Sequence, residues 1–196
     1  MSTHHKALAA TLSTGVARKS RANPRVGLRL EMLYGTPVLM SGLSSLVLCT
    51  SEMSMIDKCH KDTYQNIQKL LPKTPRCVVY FLGGCLPAQA VIHMRMLSLF
   101  GMVARLPSDP LNIHARNFLV TAKTTSKSWF CQIRDISLKY QLPHPLAILD
   151  YPPGKECYKK LVKSHVVDFW ERTLRGEACQ LPSIPNFKLE FMGLNE

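Results

Sequence analysis

The chain reads as an all-α protein, a helical bundle with short proline-rich connectors and an irregular C-terminal tail. Three observations carry that expectation. Apolar residues recur at three- and four-residue steps, the period that lines one face of a helix. Prolines punctuate the joints between those segments, where a helix must stop or start. The one strand-like run, residues 76–82, has no clear partner strand to pair with.

Taken in order, residues 3–17 form the first expected helix, with Leu8, Leu12 and Val16 spaced four apart. A basic turn over 18–24 follows. Asn23-Pro24 closes it, because a proline pushes the preceding residue out of the helical region. Residues 25–34 resume a helix, and Pro37 opens a further apolar one to about Leu48. The segment 51–71 is the clearest helix. Ser51 is a suitable N-cap, and Glu52 and Asp57 lie toward the positive end of its dipole. Met53, Ile56, His60, Thr63, Ile67 and Leu70 step by threes and fours into a narrow seam, and Pro72 and Pro75 end the run.

Residues 76–82, Arg-Cys-Val-Val-Tyr-Phe-Leu, are β-branched and aromatic enough for a strand. The Gly83-Gly84 stop and the missing partner make a short buried helix at least as good a reading. Pro87 sits where a first-turn proline belongs, and Val91, Met94, Leu97, Met102 and Leu106 follow in a helix to about 106. Further helices are expected near 110–122 and 126–140, then an extended connector, Leu142-Pro143-His144-Pro145. The last strong helix spans 155–178, where Tyr158, Leu161, Val162, His165, Val166, Phe169 and Leu174 form one apolar face. After Leu181, Pro182 and Pro185 point to irregular packing. Punctuation at Pro72 divides the chain into a helical region over 1–72, with a basic N-terminus, and a second over 73–196.

Composition narrows the class. With 196 residues, 46% hydrophobic and 19% charged, the chain has the mass and apolar content for a real core, which excludes wholesale disorder. Net charge is +12, and half of it lies in residues 1–30, where Lys6, Arg18, Lys19, Arg21, Arg25 and Arg29 stand without an acid. A polyanionic partner, nucleic acid or an anionic membrane, is the physical reading of such a field. The same acid-free, arginine-bearing start also resembles a mitochondrial presequence, which is the alternative. Seven cysteines, an odd count with no pair within five residues and no secretory leader ahead of them, point to a reducing intracellular compartment, nucleus or cytoplasm. Residues 32–51 are uncharged and long enough to span a bilayer, but Gly35, Pro37, Gly42 and several serines and threonines interrupt them. A buried core helix is the better reading, and a membrane is not an expected partner.

Catalytic constellations are sparse. Two-metal polymerase chemistry needs clustered carboxylates, yet no two acids are adjacent anywhere. The closest pair, Asp168 and Glu171, each has an arginine four residues on, Arg172 and Arg175, the spacing of helix-surface ion pairs. Cys59, His60, Cys77, Cys85, His93 and His114 have no Cys-x-x-Cys or His-x3-His spacing, so no metal site is expected. Neither a nucleophile elbow nor a phosphate-binding loop is present. Trp129 and Trp170 read as core rather than as base-stacking platforms. No catalytic residue and no cofactor is expected.

The order of residues carries one resemblance. Asn23-Pro24 followed by Tyr34-Gly35-Thr36-Pro37-Val38-Leu39-Met40-Ser41-Gly42-Leu43 resembles the thumb of reverse transcriptases from non-LTR, LINE-type retrotransposons. The likeness continues through Thr74-Pro75-Arg76, Tyr80-Phe81-Leu82, Leu86-Pro87-Ala88, Leu97-Ser98-Leu99-Phe100-Gly101-Met102 and Ser126-Lys127-Ser128-Trp129-Phe130. It extends to Leu142-Pro143-His144-Pro145-Leu146 and Asp168-Phe169-Trp170-Glu171. Where many members have Tyr-Gly-Leu-Glu, this chain has Ser41-Gly42-Leu43-Ser44. The resemblance implies a thumb and connection region, helical and gripping a primer–template duplex, without the palm and fingers that hold the catalytic carboxylates. It implies a non-catalytic fragment, left by a truncated element or a split gene model, with residual RNA or DNA backbone affinity. The expected phosphate contacts are Arg18, Lys19, Arg21, Arg25, Arg29, Lys73 and Arg76. Apolar surface that a palm would cover implies self-association.

Overall fold

The structure, a computed structural model, describes residues 23–106, 109–121 and 128–181. Among the described residues all regular structure is helical, so the all-α expectation holds. The order is α1 (Pro24–Leu30), a π-helical turn (Glu31–Gly35), α2 (Thr36–Leu39), a 3-10 turn (Leu43–Ser45), α3 (Thr50–Ile67), α4 (Arg76–Gly83) and α5 (Ala88–Ala104). Then come α6 (Pro110–Thr121), α7 (Trp129–Lys139), α8 (Pro145–Asp150) and α9 (Lys155–Cys179). The helix expected over 3–17, most of the basic turn and the tail after Leu181 lie outside the described residues.

Helix ends follow local chemistry. The Asn23 side chain accepts the Arg25 N–H at 3.0 Å and caps α1, with Pro24 in the first turn. Three helices close with one motif, in which a left-handed residue lets the next N–H reach the carbonyl five residues back. Lys69 (φ 56°) allows Leu70 N–H to Gln65 at 3.0 Å, Gly84 (φ 59°) allows Cys85 to Tyr80 at 3.2 Å, and Gln141 (φ 55°) allows Leu142 to Ser137 at 2.9 Å. Only one of the three is a glycine, so α3 and α7 end at residues that favour other conformations.

The described residues form two compact units that interleave in sequence, one from residues 23–41, 50–89 and 171–181, the other from residues 42–49, 90–106, 109–121 and 128–170. The core of the first is Tyr64, Cys77, Val79, Tyr80, Phe81, Cys85, Leu174 and Ala178, with Leu28 and Leu70 packed against it. Here α1 lies on the end of α3 so closely that a Cβ on Gly27 would meet Ile67 at 2.9 Å. Arg76 ties this unit together through Asp57 of α3, at 3.4 Å, and Glu177 of α9.

In the second unit, α6 packs on α7 and α8. Phe100, Ala115, Ile133, Val162 and Val166 are fully buried. The Trp129 N–H donates to the Ser44 carbonyl at 2.8 Å and the Gln132 amide to Leu48 at 3.0 Å, fastening the irregular segment 42–49. Asn112, buried at the start of α6, donates to the carbonyls of Val103 and Ala104 and so satisfies the frayed end of α5.

The structure corrects two expectations and decides between the two readings of residues 76–82. Residues 32–51 are not one buried core helix: the run ends at Leu39, Gly42 takes φ 75°, and Met32, Leu33, Tyr34, Val38, Leu46 and Val47 are exposed. Residues 76–82 are helical, and α4 ends at Gly83 because Gly84 supplies the left-handed closure. The connector after Gln141 is shorter than expected, since His144 caps an unforeseen helix, α8, by accepting the Leu146 N–H at 3.3 Å. Among the described residues no single helix is long and apolar enough to cross a membrane.

Candidate nucleic-acid interface

Phosphate binding needs cations on positioned backbone, so the expected contact residues are judged by where the helices hold them. Arg25 and Arg29 stand four apart on α1, on one face, and both are exposed. Lys73 is exposed in the turn between α3 and α4, whose geometry is set by Thr74, donating to the Leu71 carbonyl from its N–H at 2.9 Å and its hydroxyl at 2.7 Å. Arg76 is different. Its half-buried guanidinium is engaged by Asp57 and Glu177; burial alone would lower its pKa, and the two carboxylates raise it instead. Arg18, Lys19 and Arg21 lie outside the described residues.

A second cationic row was not singled out from the sequence. Lys155, Lys159 and Lys163 stand four apart along the first half of α9, with Lys160 beside them, and all four are exposed. Helical spacing puts successive members about 6 Å apart. Only Lys155 lies in the first turn, where the helix dipole makes a cation cost about 0.3–1 kcal/mol. Only Glu156 offsets it in the first turn. Its signal in the sequence is the four-residue lysine period, which shares the helix with the stronger apolar period. Tyr151, four residues before the row, is 85% exposed.

The remaining polar groups of note are inward-facing. In the first unit, His60 lies 1% exposed between the rings of Tyr64 and Tyr80, its Nδ1 3.4 Å from the Tyr80 hydroxyl, and burial lowers its pKa to about 4. The Tyr64 hydroxyl meets Thr36 at 3.3 Å. In the second unit, Tyr140 bonds His93 and Trp170, and burial, aided by Lys139, brings His93 down to about 3. Trp170 is thus core, at 3% exposure, and Trp129 is half-buried with its N–H used. These groups are buried within their units, and His60 keeps one ring nitrogen, Nε2, buried without a hydrogen-bond partner. Among the described residues no group of three or more His, Cys, Asp or Glu converges to hold a metal ion, and all seven cysteines are free thiols.

No protein-family model, no curated protein and no solved structure matches this chain.

Proposed function

We propose that this chain is a non-catalytic helical protein that holds RNA or DNA by its phosphate backbone, akin to the thumb and connection of a LINE-type reverse transcriptase. One observation supports the reading most: Lys155, Lys159 and Lys163 form an exposed row at helical spacing on one helix. Exposed cations at helical spacing are suited to meet successive phosphates of an external polyanion. Arg25 and Arg29 repeat the pattern on α1, and the net charge of +12 supplies the long-range attraction. Contacts of this kind register the backbone and carry no sequence information.

The test is a gel shift of an RNA–DNA hybrid across a salt series. Replacing Lys155, Lys159 and Lys163 with Ala is expected to flatten the slope of log affinity against log salt by about 2–3. Binding that is absent, or indifferent to salt, sinks the proposal. Primer extension by the purified chain would contradict its non-catalytic half. A second reading, a helical interaction protein with a mitochondrial-type targeting N-terminus, is favoured by the apolar residues exposed along α1 and α2. Cleavage near residues 25–30 on import into mitochondria would favour it over the first.

A further inference from the structure

Past Leu28, which packs against the core of the first unit, the helical run from Pro24 to Leu39 turns polar and small residues inward. Its protein-facing side carries Glu31, Gly35 and Thr36, all buried, with Met40 just beyond. At Gly35 a Cβ would overlap the Glu31 carboxylate where it now lies, so the glycine lets that side chain rest against the backbone. The opposite side carries Val26, Leu30, Met32, Leu33, Tyr34 and Val38, each more than two-fifths exposed and Tyr34 67%. The π turn sits one turn ahead of Pro37, whose ring excludes the carbonyl four residues back, so the wide turn accommodates the proline without ending the run.

Charge decides what covers this face. Glu31 is the only acidic residue in the first 51, and it is buried; Arg25 and Arg29 are exposed among the apolar side chains. A second copy of the chain would bring four arginines together with no exposed acid on either segment to offset them. Nucleic acid offers phosphates but no apolar surface for Leu30, Leu33 and Val38. A surface that is both anionic and apolar beneath satisfies both halves of the pattern.

We propose that this face docks on an anionic lipid surface, lying in the plane of the interface. Leu30, Leu33 and Val38 enter the acyl boundary and Tyr34 sits at the headgroup level, as its amphipathic ring prefers. The arginine stems lie along the apolar layer while their guanidinium groups reach headgroup phosphates. The six basic residues of the acid-free stretch 1–30 add the polybasic charge that such binding requires beyond apolar contact. This is docking at a membrane surface and not a span.

The experiment is co-flotation of the full chain with vesicles of phosphatidylcholine alone and of phosphatidylcholine with about a third phosphatidylserine. The full chain is expected to float with the anionic vesicles and remain behind with the neutral ones. Replacing Leu30, Leu33 and Tyr34 with Ser removes exposed side chains only, so helicity by circular dichroism is expected to persist, while vesicle affinity falls on the order of 100-fold. Replacing Arg25 and Arg29 with Gln is expected to weaken flotation as well. The proposal is independent of backbone binding: the apolar triple variant still shifts the RNA–DNA hybrid, so the two readings fail separately. Equal flotation with neutral vesicles, or flotation unchanged by the triple variant, would overturn it. So would a dimer in sedimentation that the triple variant dissolves while vesicles are ignored, because the face would then belong to a second copy.

Discussion

The Tyr140 hydroxyl lies 2.8 Å from His93 Nδ1, a contact between α5 and the end of α7 that joins residues 47 apart in sequence. The same oxygen accepts the Trp170 indole N–H at 3.0 Å, so the phenol proton goes to His93, which is neutral and accepts it. The Tyr140 carbonyl also takes the ring of His165 at 3.0 Å. One residue thus terminates a helix and satisfies three neighbours in the second unit.

Tyr140→Phe keeps the ring and removes the bridge, stranding a buried imidazole nitrogen and a buried indole N–H. The expected cost is about 2–4 kcal/mol, read as a drop in the urea midpoint at constant slope. A loss under about 1 kcal/mol would mean that the two partners re-pair elsewhere and that the network is dispensable.

Acid should unfold the chain through its buried histidines. His60 and His93 have folded pKa values lowered by burial to about 4 and about 3, against an ordinary value near 6.5. The unfolded chain therefore binds more protons, and the stability these groups contribute is complete above about 6.5. It is lost as pH falls through 6.5 toward 4 and then 3, with a slope approaching about 2.7 kcal/mol per pH unit while both titrate only in the unfolded state. Glu31 has the opposite sign, since burial raises its pKa and its neutral form is favoured as pH falls. A urea midpoint that stays flat between pH 6.5 and 4 would contradict this account.

Two helix ends are built on residues that resist their own backbone. Lys69→Gly and Gln141→Gly remove the Cβ from left-handed positions without touching the closing bonds to Gln65 and Ser137. Each is expected to stabilise the fold by about 0.5–1 kcal/mol, visible as a rise in Tm. A fall in Tm at either site would show that its side chain contributes more than its conformation costs.

Arg76 and the pair Arg25 and Arg29 should separate stability from binding. Arg76→Ala leaves Asp57 and Glu177 facing one another without their cation, and a loss of about 1–2 kcal/mol is expected with little change in affinity for an RNA–DNA hybrid. Replacing Arg25 and Arg29 with Ala is expected to reverse the pattern, weakening the hybrid complex and leaving the urea midpoint within about 0.5 kcal/mol. Equal effects in both assays would mean that the ion-paired arginine also meets nucleic acid.

Much of the fold was legible in the residues. The seam Met53, Ile56, His60, Thr63 and Ile67 is buried as its spacing implied, and the strong apolar face of the last helix holds at Tyr158, Val162, Val166 and Leu174. The stop at Gly84 was readable because glycine takes a left-handed backbone freely. The stops at Lys69 and Gln141 were not, since nothing local favours them. The helix at Pro145–Asp150 was missed because its cap is a histidine, outside the usual set of capping residues.

The candidate interface divides the same way. Composition alone placed a cationic excess in the first 30 residues and pointed to a polyanion, because charge is additive along a chain whatever its shape. Which arginine is free to meet that polyanion is a three-dimensional matter: Arg76 finds Asp57 and Glu177, and the latter lies 101 residues away. The sequence also pointed to helices over 25–34 and from Pro37 to about Leu48; the structure makes 24–39 one helical run, and periodicity says only which residues share a face. Tertiary packing turned that run so that Glu31 and Thr36 point inward and Leu33 and Tyr34 outward. Gly27 lets the inward side approach Ile67, and Gly35 leaves room for the Glu31 carboxylate.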